Sequence, residues 1–175
     1  MSYLDGLKEL ISLKSQDFIL IFSNSNVLLA QSALVSGTKF GDWVYECVAI
    51  SQGKTNCALS QTIIAKETNQ QIVKLNFLKQ LDSKELSMLV LVPLGIDFKV
   101  GIAGTFNKSN SILFQLETCI PNGCIGSIKI DEKLMASLKS ESQLAISFKF
   151  KDIKDTTTVS SPLNGLIEGL KSANF

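Results

Sequence analysis

A mainly β fold, an antiparallel sandwich interrupted by two short helices, is what this chain predicts, on three observations. Beyond residue 36, apolar residues recur in short runs, several of them with the two-residue period of half-buried strands. Turn residues break that pattern at short intervals, as in sandwiches rather than in units that alternate strand and helix. Four cysteines bracket two short loops between successive strands. A length of 175 residues and a mass of 19.1 kDa fit one domain with a real core.

Taken in order, FGDWVYECVAI alternates, with Trp43, Tyr45 and Cys47 on one face. NCALSQTII and QIVKLNFL follow, separated by the turn KETNQ. LSMLVLVPLG is more continuously apolar and predicts a central strand buried on both faces. Pro93 and Gly95 end it in a turn, and VGIAGTF, SILFQLETC, CIGSIKI and LAISFKF supply further strands. DEKLMASLKS places Leu134, Met135 and Leu138 on one helical face, and Asp131 and Glu132 favour its start through the helix dipole. SPLNGLIEGLKSA predicts a second helix through Leu163, Leu166, Ile167 and Leu170, with Ser161 as cap and Pro162 at the first helical position.

Residues 1–36 stand apart from the domain expected over residues 37–175. Lys8, Lys14, an apolar segment from Phe18 to Leu29 and the small residues Ala30, Ser32 and Ala33 fit an imperfect secretory signal ending near Ala30 or Ala33. The polar SNSN break and the acidic Asp5, Glu9 and Asp17 fit instead an amphipathic helix and short strand packed on the domain. Nothing reaches the roughly 18 continuous apolar residues of a transmembrane helix.

Composition excludes several chemistries. Seventeen basic and sixteen acidic residues give a formal charge of +1, which lacks the electrostatic footprint of a nucleic-acid binder. Every basic residue is a lysine, so no guanidinium can grip a phosphate or carboxylate bidentately. The absence of histidine removes the usual general base and the commonest zinc ligand, and rules out Ser-His-Asp and Cys-His catalysis. Neither cofactor nor metal is expected.

If SILFQLETC and CIGSIKI pair across IPNG, Cys119 and Cys124 fall opposite each other at disulfide distance. Cys47 and Cys57 bracket a second short loop and pair by the same reasoning. A four-cysteine zinc site wants tighter spacing than nine and four intervening residues, and a redox pair wants two. Free structural thiols are the remaining alternative. Two disulfides place the mature domain in an oxidising compartment, here the periplasm, the outer membrane or the exterior.

FGDWVYEC, a short loop to CALSQ, VPLGIDFKVGI, LETCIPNGCIG and SPLNGLIEGL together resemble, in order over residues 38 to 172, the invasion-associated locus B family of exported bacterial proteins. The matching positions are Trp43, Cys47, Cys57, Ser60, Gln61, Pro93, Leu94, Gly95, Cys119, Gly123, Cys124, Pro162, Leu163 and Gly165. The resemblance implies an immunoglobulin-like β-sandwich with two local disulfides, exported, associated in some pathogens with host-cell invasion, and without established enzymatic activity. The chain departs from it in lacking arginine and in its long N-terminus.

Singly, the motif residues read as structural. Trp43 is expected as a core anchor near a disulfide, and Ser60 and Gln61 as strand residues that bond to backbone. Two functions of different class follow. One is a non-enzymatic binding or adhesion module that meets a protein or envelope component through loops on a rigid scaffold, with Ile96, Phe98 and Lys99 and the KETNQ turn as candidate contacts. The other is a carboxylate-dependent hydrolase using two of Asp42, Glu46, Glu67, Asp97 and Glu117 across a groove. A structural subunit of an envelope assembly follows if residues 1–36 stay on the mature protein.

Overall fold

A computed structural model of the protein describes residues 33–51, 53–79, 85–107 and 110–175. Residues 1–32, for which a signal or a packed helix is expected, lie outside the described residues. The compact unit starts at Leu34, which packs against the core, and the Cys47 N–H donates to Ser36 Oγ at 3.0 Å. Residues 34–36, expected to precede the domain, are therefore part of it.

The described strands are β1 (Lys39–Phe40), β2 (Trp43–Ser51), β3 (Lys54–Ile64), β4 (Gln71–Lys79), β5 (Leu86–Val92), β6 (Ile102–Phe106), β7 (Asn110–Ile120), β8 (Gly123–Lys129), β9 (Gln143–Lys149) and β10 (Thr156–Pro162). They form one antiparallel ladder in the order β1-β2-β3-β4-β5-β8-β7-β6-β9-β10. Strands β6, β7 and β8 are joined by hairpins, and β9 returns beside β6, which is a Greek-key connection of the kind sandwiches use. The mainly β sandwich stands, with two short helices among the described residues.

β7 turns one ladder into two layers. Its first half, Asn110–Phe114, pairs with β6, and its second half, Gln115–Ile120, pairs with β8. The register shifts between Leu116 and Thr118, and such bulges bend strands and let one strand serve two sheets. Side chains from both layers, among them Trp43, Leu59, Phe77, Val90, Ile102, Ile146 and Phe148, fill one core. Trp43 meets Phe77 edge-on, with centroids 5.3 Å apart.

Strand β5 differs from expectation. Met88, Val90 and Val92 are fully buried, whereas Leu89 and Leu91 on the other face are only half-buried. An antiparallel central strand has its pairing satisfied at both edges while one face still looks outward.

The first helix, α1 (Glu132–Ser140), is capped by the Asp131 carboxylate, which accepts the Leu134 N–H at 2.7 Å, and it buries Leu134 and Leu138. The second, α2 (Leu166–Ser172), begins later than expected. Ser161 and Pro162 belong to β10, and the N-cap is Gly165, left-handed with φ 84° and no side-chain cap bond. Ser161 is held by tertiary partners instead. Its hydroxyl donates to Gln61 Oε1, and Ser161 and Pro162 pair with Leu144 and Gln143 of β9.

Candidate functional site

The two cysteine pairs sit where strand register places them. Cys47 faces Cys57 across β2 and β3, and Cys119 faces Cys124 across β7 and β8. Each is joined as a disulfide, with Cα atoms 4.0 Å apart. Three of the four half-cystines keep some contact with solvent, and Cys124 is buried. Among the described residues no group of three or more histidine, cysteine, aspartate or glutamate side chains converges as a metal site.

The motif residues Ser60 and Gln61 do structural work. Gln61 is buried; its amide donates to the Pro162 carbonyl at 2.9 Å and to the Asp42 carbonyl at 3.4 Å. Ser60 donates to Asn76 Oδ1 at 2.7 Å on the outer face of the sheet. There Lys74 Nζ lies 2.9 Å from Glu46 Oε2. The hydrogen bond from Lys74 holds the Glu46 carboxyl below its ordinary value, against the opposing effect of burial and with further help from Ser60.

The remaining carboxylates are dispersed. Asp42 precedes β2, Glu67 lies in the exposed turn after β3, and Glu117 accepts a hydrogen bond from Ser127 at the β7 bulge. A cavity of about 520 Å³ opens between α1 and the ends of β6, β7 and β8. Its single carboxylate is Asp131, already engaged as the α1 cap. Three smaller grooves hold one carboxylate each, Glu117, Glu46 or Asp42. None of these four spaces brings together the two carboxylates that glycoside hydrolysis uses.

The loops at one end of the sandwich are arranged differently. Strand directions put the β3–β4 turn, the β5–β6 loop, the β7–β8 tip and the β9–β10 loop at the same end of the ladder. The β5–β6 loop (residues 93–101) and the β9–β10 loop (residues 150–155) are stitched together. Ile96 and Phe150 form a bridge, the Asp97 N–H donates to Lys149 O at 2.7 Å, and the Lys151 N–H donates to Gly95 O at 3.0 Å. The β7–β8 tip adjoins them, since Cys124 pairs with Val92.

Within the β5–β6 loop, Gly95 takes φ 87°, a backbone state favouring glycine. Asp97 then closes a tight turn. Its carboxylate accepts the Lys99 N–H at 3.0 Å, and its carbonyl accepts the N–H groups of Val100 at 3.1 Å and Gly101 at 3.0 Å.

One proposed contact residue is corrected here. Ile96 is only 4% exposed and belongs to the core, so it anchors the loop and cannot meet a partner. The alternation of the extended bridge turns it inward. Phe98, by contrast, is 63% exposed at the turn, and Lys99 beside it is exposed.

Sequence reasoning took this loop only from Ile96 to Val100 and missed Leu94, Ile120 and Ile153. Leu94, Val100 and Ile153 are each 51% exposed and Ile120 is 40% exposed. Among the described residues ten large apolar side chains are exposed; four of them (Leu94, Phe98, Val100 and Ile153) lie in the two stitched loops, and Ile120 ends β7 at the tip beside them. A bulky apolar residue inside a turn segment, as in KDIKD around Ile153, was the available signal. The KETNQ turn at the same end is exposed but carries no apolar side chain.

The family model described as Invasion associated locus B (IalB) protein matches residues 43–174. Two curated relatives, invasion protein B homologues of Brucella abortus strain 2308 and of Brucella abortus biovar 1 strain 9-941, are each 24% identical over 123 residues, 70% of this chain. The chain spans 65% of the length of each of these relatives. Among solved structures, the crystal structure of invasion associated protein B from Bartonella henselae aligns with a TM-score of 0.65. At 21% identity, over 81% of this chain and 95% of that one, it shares the fold.

Proposed function

The chain belongs to the invasion-associated locus B family, and on that premise we propose that it is an exported, non-enzymatic binding or adhesion module of the bacterial envelope, working in host-cell invasion. The contact face is the loop end of the sandwich, and one observation carries this reading. Of the ten large apolar side chains exposed among the described residues, four sit on two stitched loops there, and Ile120 ends β7 at the adjoining tip. Monomeric proteins seldom gather apolar surface in this way unless something covers it.

Export is supported by the two disulfides, which persist in oxidising compartments. Among the described residues no helix is long and apolar enough to cross a membrane. The names of the two curated relatives support a role in invasion.

The test compares retention of envelope or host-cell extract components by wild type and by Phe98→Ala, each with a thermal melt. Lost retention at an unchanged melt supports the contact face. Retention that ignores Phe98 removes this end of the sandwich from the reading.

A further inference from the structure

We infer that the cavity beside α1 is a binding site for a small anionic amphiphile, an apolar chain that ends in a single anionic head. It lies at the end of the sandwich opposite the β5–β6 and β9–β10 loops, where β6 and β8 end and β7 begins. The site is therefore independent of the contact face.

Strand pairing explains why space opens here. β7 pairs with β6 as far back as Asn110, but its ladder with β8 ends at Gln115 and Ser127. β8 continues alongside β5 to Lys129, which has a ladder partner, Ser87, on one side only. The first half of β7 and the end of β8 thus diverge into different layers, and α1, which follows β8 directly, supplies the third wall of the wedge between them. The result is a cavity of about 520 Å³, within the range that small-molecule sites occupy.

The inner wall is apolar. Phe106 and Leu134 are core residues, and Ile112 and Ile128 pack against the same core. Water gains little from such a wall, whereas an apolar chain laid against it leaves solvent.

The rim has the opposite character. Lys129 and Lys133 line the cavity against a single carboxylate, Asp131, which already accepts the Leu134 N–H. Lys133 has no carboxylate within pairing distance among the described residues. Lys129 Nζ lies 2.7 Å from Glu85 Oε2, an exposed pair of the weak kind, which a second anion can share. An apolar wall bordered by two ammonium groups is complementary to a chain with an anionic head, since the wall takes the chain and a charge-assisted hydrogen bond fixes the head.

The experiment titrates decanoate into the full, disulfide-intact chain by calorimetry. Binding should be saturable. Decyltrimethylammonium, which carries a cationic head on the same chain, should bind at least about tenfold more weakly. Lys133→Met, which removes the ammonium and keeps an apolar stem, should weaken decanoate roughly tenfold at an unchanged melting temperature. Ser137→Trp, which fills the cavity from α1, should abolish binding. Lys133 is exposed, so its variant tests the site even where Ser137→Trp fails to fold.

Amide shifts on adding decanoate should centre on Ser111, Ile112, Ile128 and Leu134. No saturable binding, equal binding of the two amphiphiles, decanoate binding that ignores Lys133 or survives in folded Ser137→Trp, or shifts centred elsewhere overturns the inference.

Discussion

The hydroxyl of Ser161 donates to Oε1 of Gln61 at 2.5 Å, joining residues 100 apart in sequence inside the core. The same glutamine donates to the carbonyls of Pro162 and Asp42, so one buried amide ties β3 to β10 and to the approach to β2. A buried polar network of this kind stabilises only when every member is satisfied.

Gln61→Leu should therefore destabilise the domain by about 2–4 kcal/mol, since it strands a hydroxyl and two carbonyls. Ser161→Ala should cost about 1–2 kcal/mol, and the double variant less than the sum because the two share one network. Urea unfolding of the four proteins tests this, and strict additivity would dissolve the proposed coupling.

We propose that both disulfides form in the native protein. Alkylation of folded protein without reductant should leave the intact mass unchanged, and any labelled cysteine refutes it. The closed loops span sequence separations of 10 and 5. Replacing either pair by alanine should cost roughly 2–3 kcal/mol in the loop-entropy model.

The Glu46–Lys74 pair predicts a pH dependence of definite sign. The Lys74 hydrogen bond lowers the folded-state value of Glu46 from its ordinary 4.5. The pair's contribution is therefore present above that value and disappears as pH falls through the lower folded value. Lys74→Met should be less stable than wild type at pH 7 by at most about 1 kcal/mol, because the pair is partly exposed and screened. That gap should close toward pH 3, and a gap of constant size would place its origin in packing.

Ile96 and Phe98, two residues apart, should separate cleanly. Ile96→Ala empties a core position and should cost about 2–4 kcal/mol. Phe98→Ala should stay within about 0.5 kcal/mol of wild type in urea unfolding, as an exposed side chain does. A large loss from Phe98→Ala would make it a packing residue.

Gly165 is the tightest point of the C-terminal packing. A Cβ there would lie 2.1 Å from the Phe40 carbonyl oxygen, and φ is 84°. Gly165→Ala should cost more than about 2 kcal/mol and disturb α2, which far-ultraviolet and thermal measurements would detect. A neutral effect would mean that this approach is looser than the structure has it.

Much of this was written locally. Strand alternation placed Trp43 inward, and the spacing of cysteines around short turns put Cys47 opposite Cys57 and Cys119 opposite Cys124, because hairpin register is set by neighbouring residues. The family motifs were equally visible, since they are contiguous stretches of sequence. The Asp131 cap could be read because a capping bond spans only three residues. Tertiary structure decided what depends on distant partners. Ser161 looks like a helix cap in isolation, but pairing with β9 draws it into β10, and Gln61 supplies its hydroxyl with a buried acceptor. The loop residues divide for the same reason: Ile96 and Phe98 share a local pattern, and only the bridge to Phe150 turns one into the core and leaves the other in solvent.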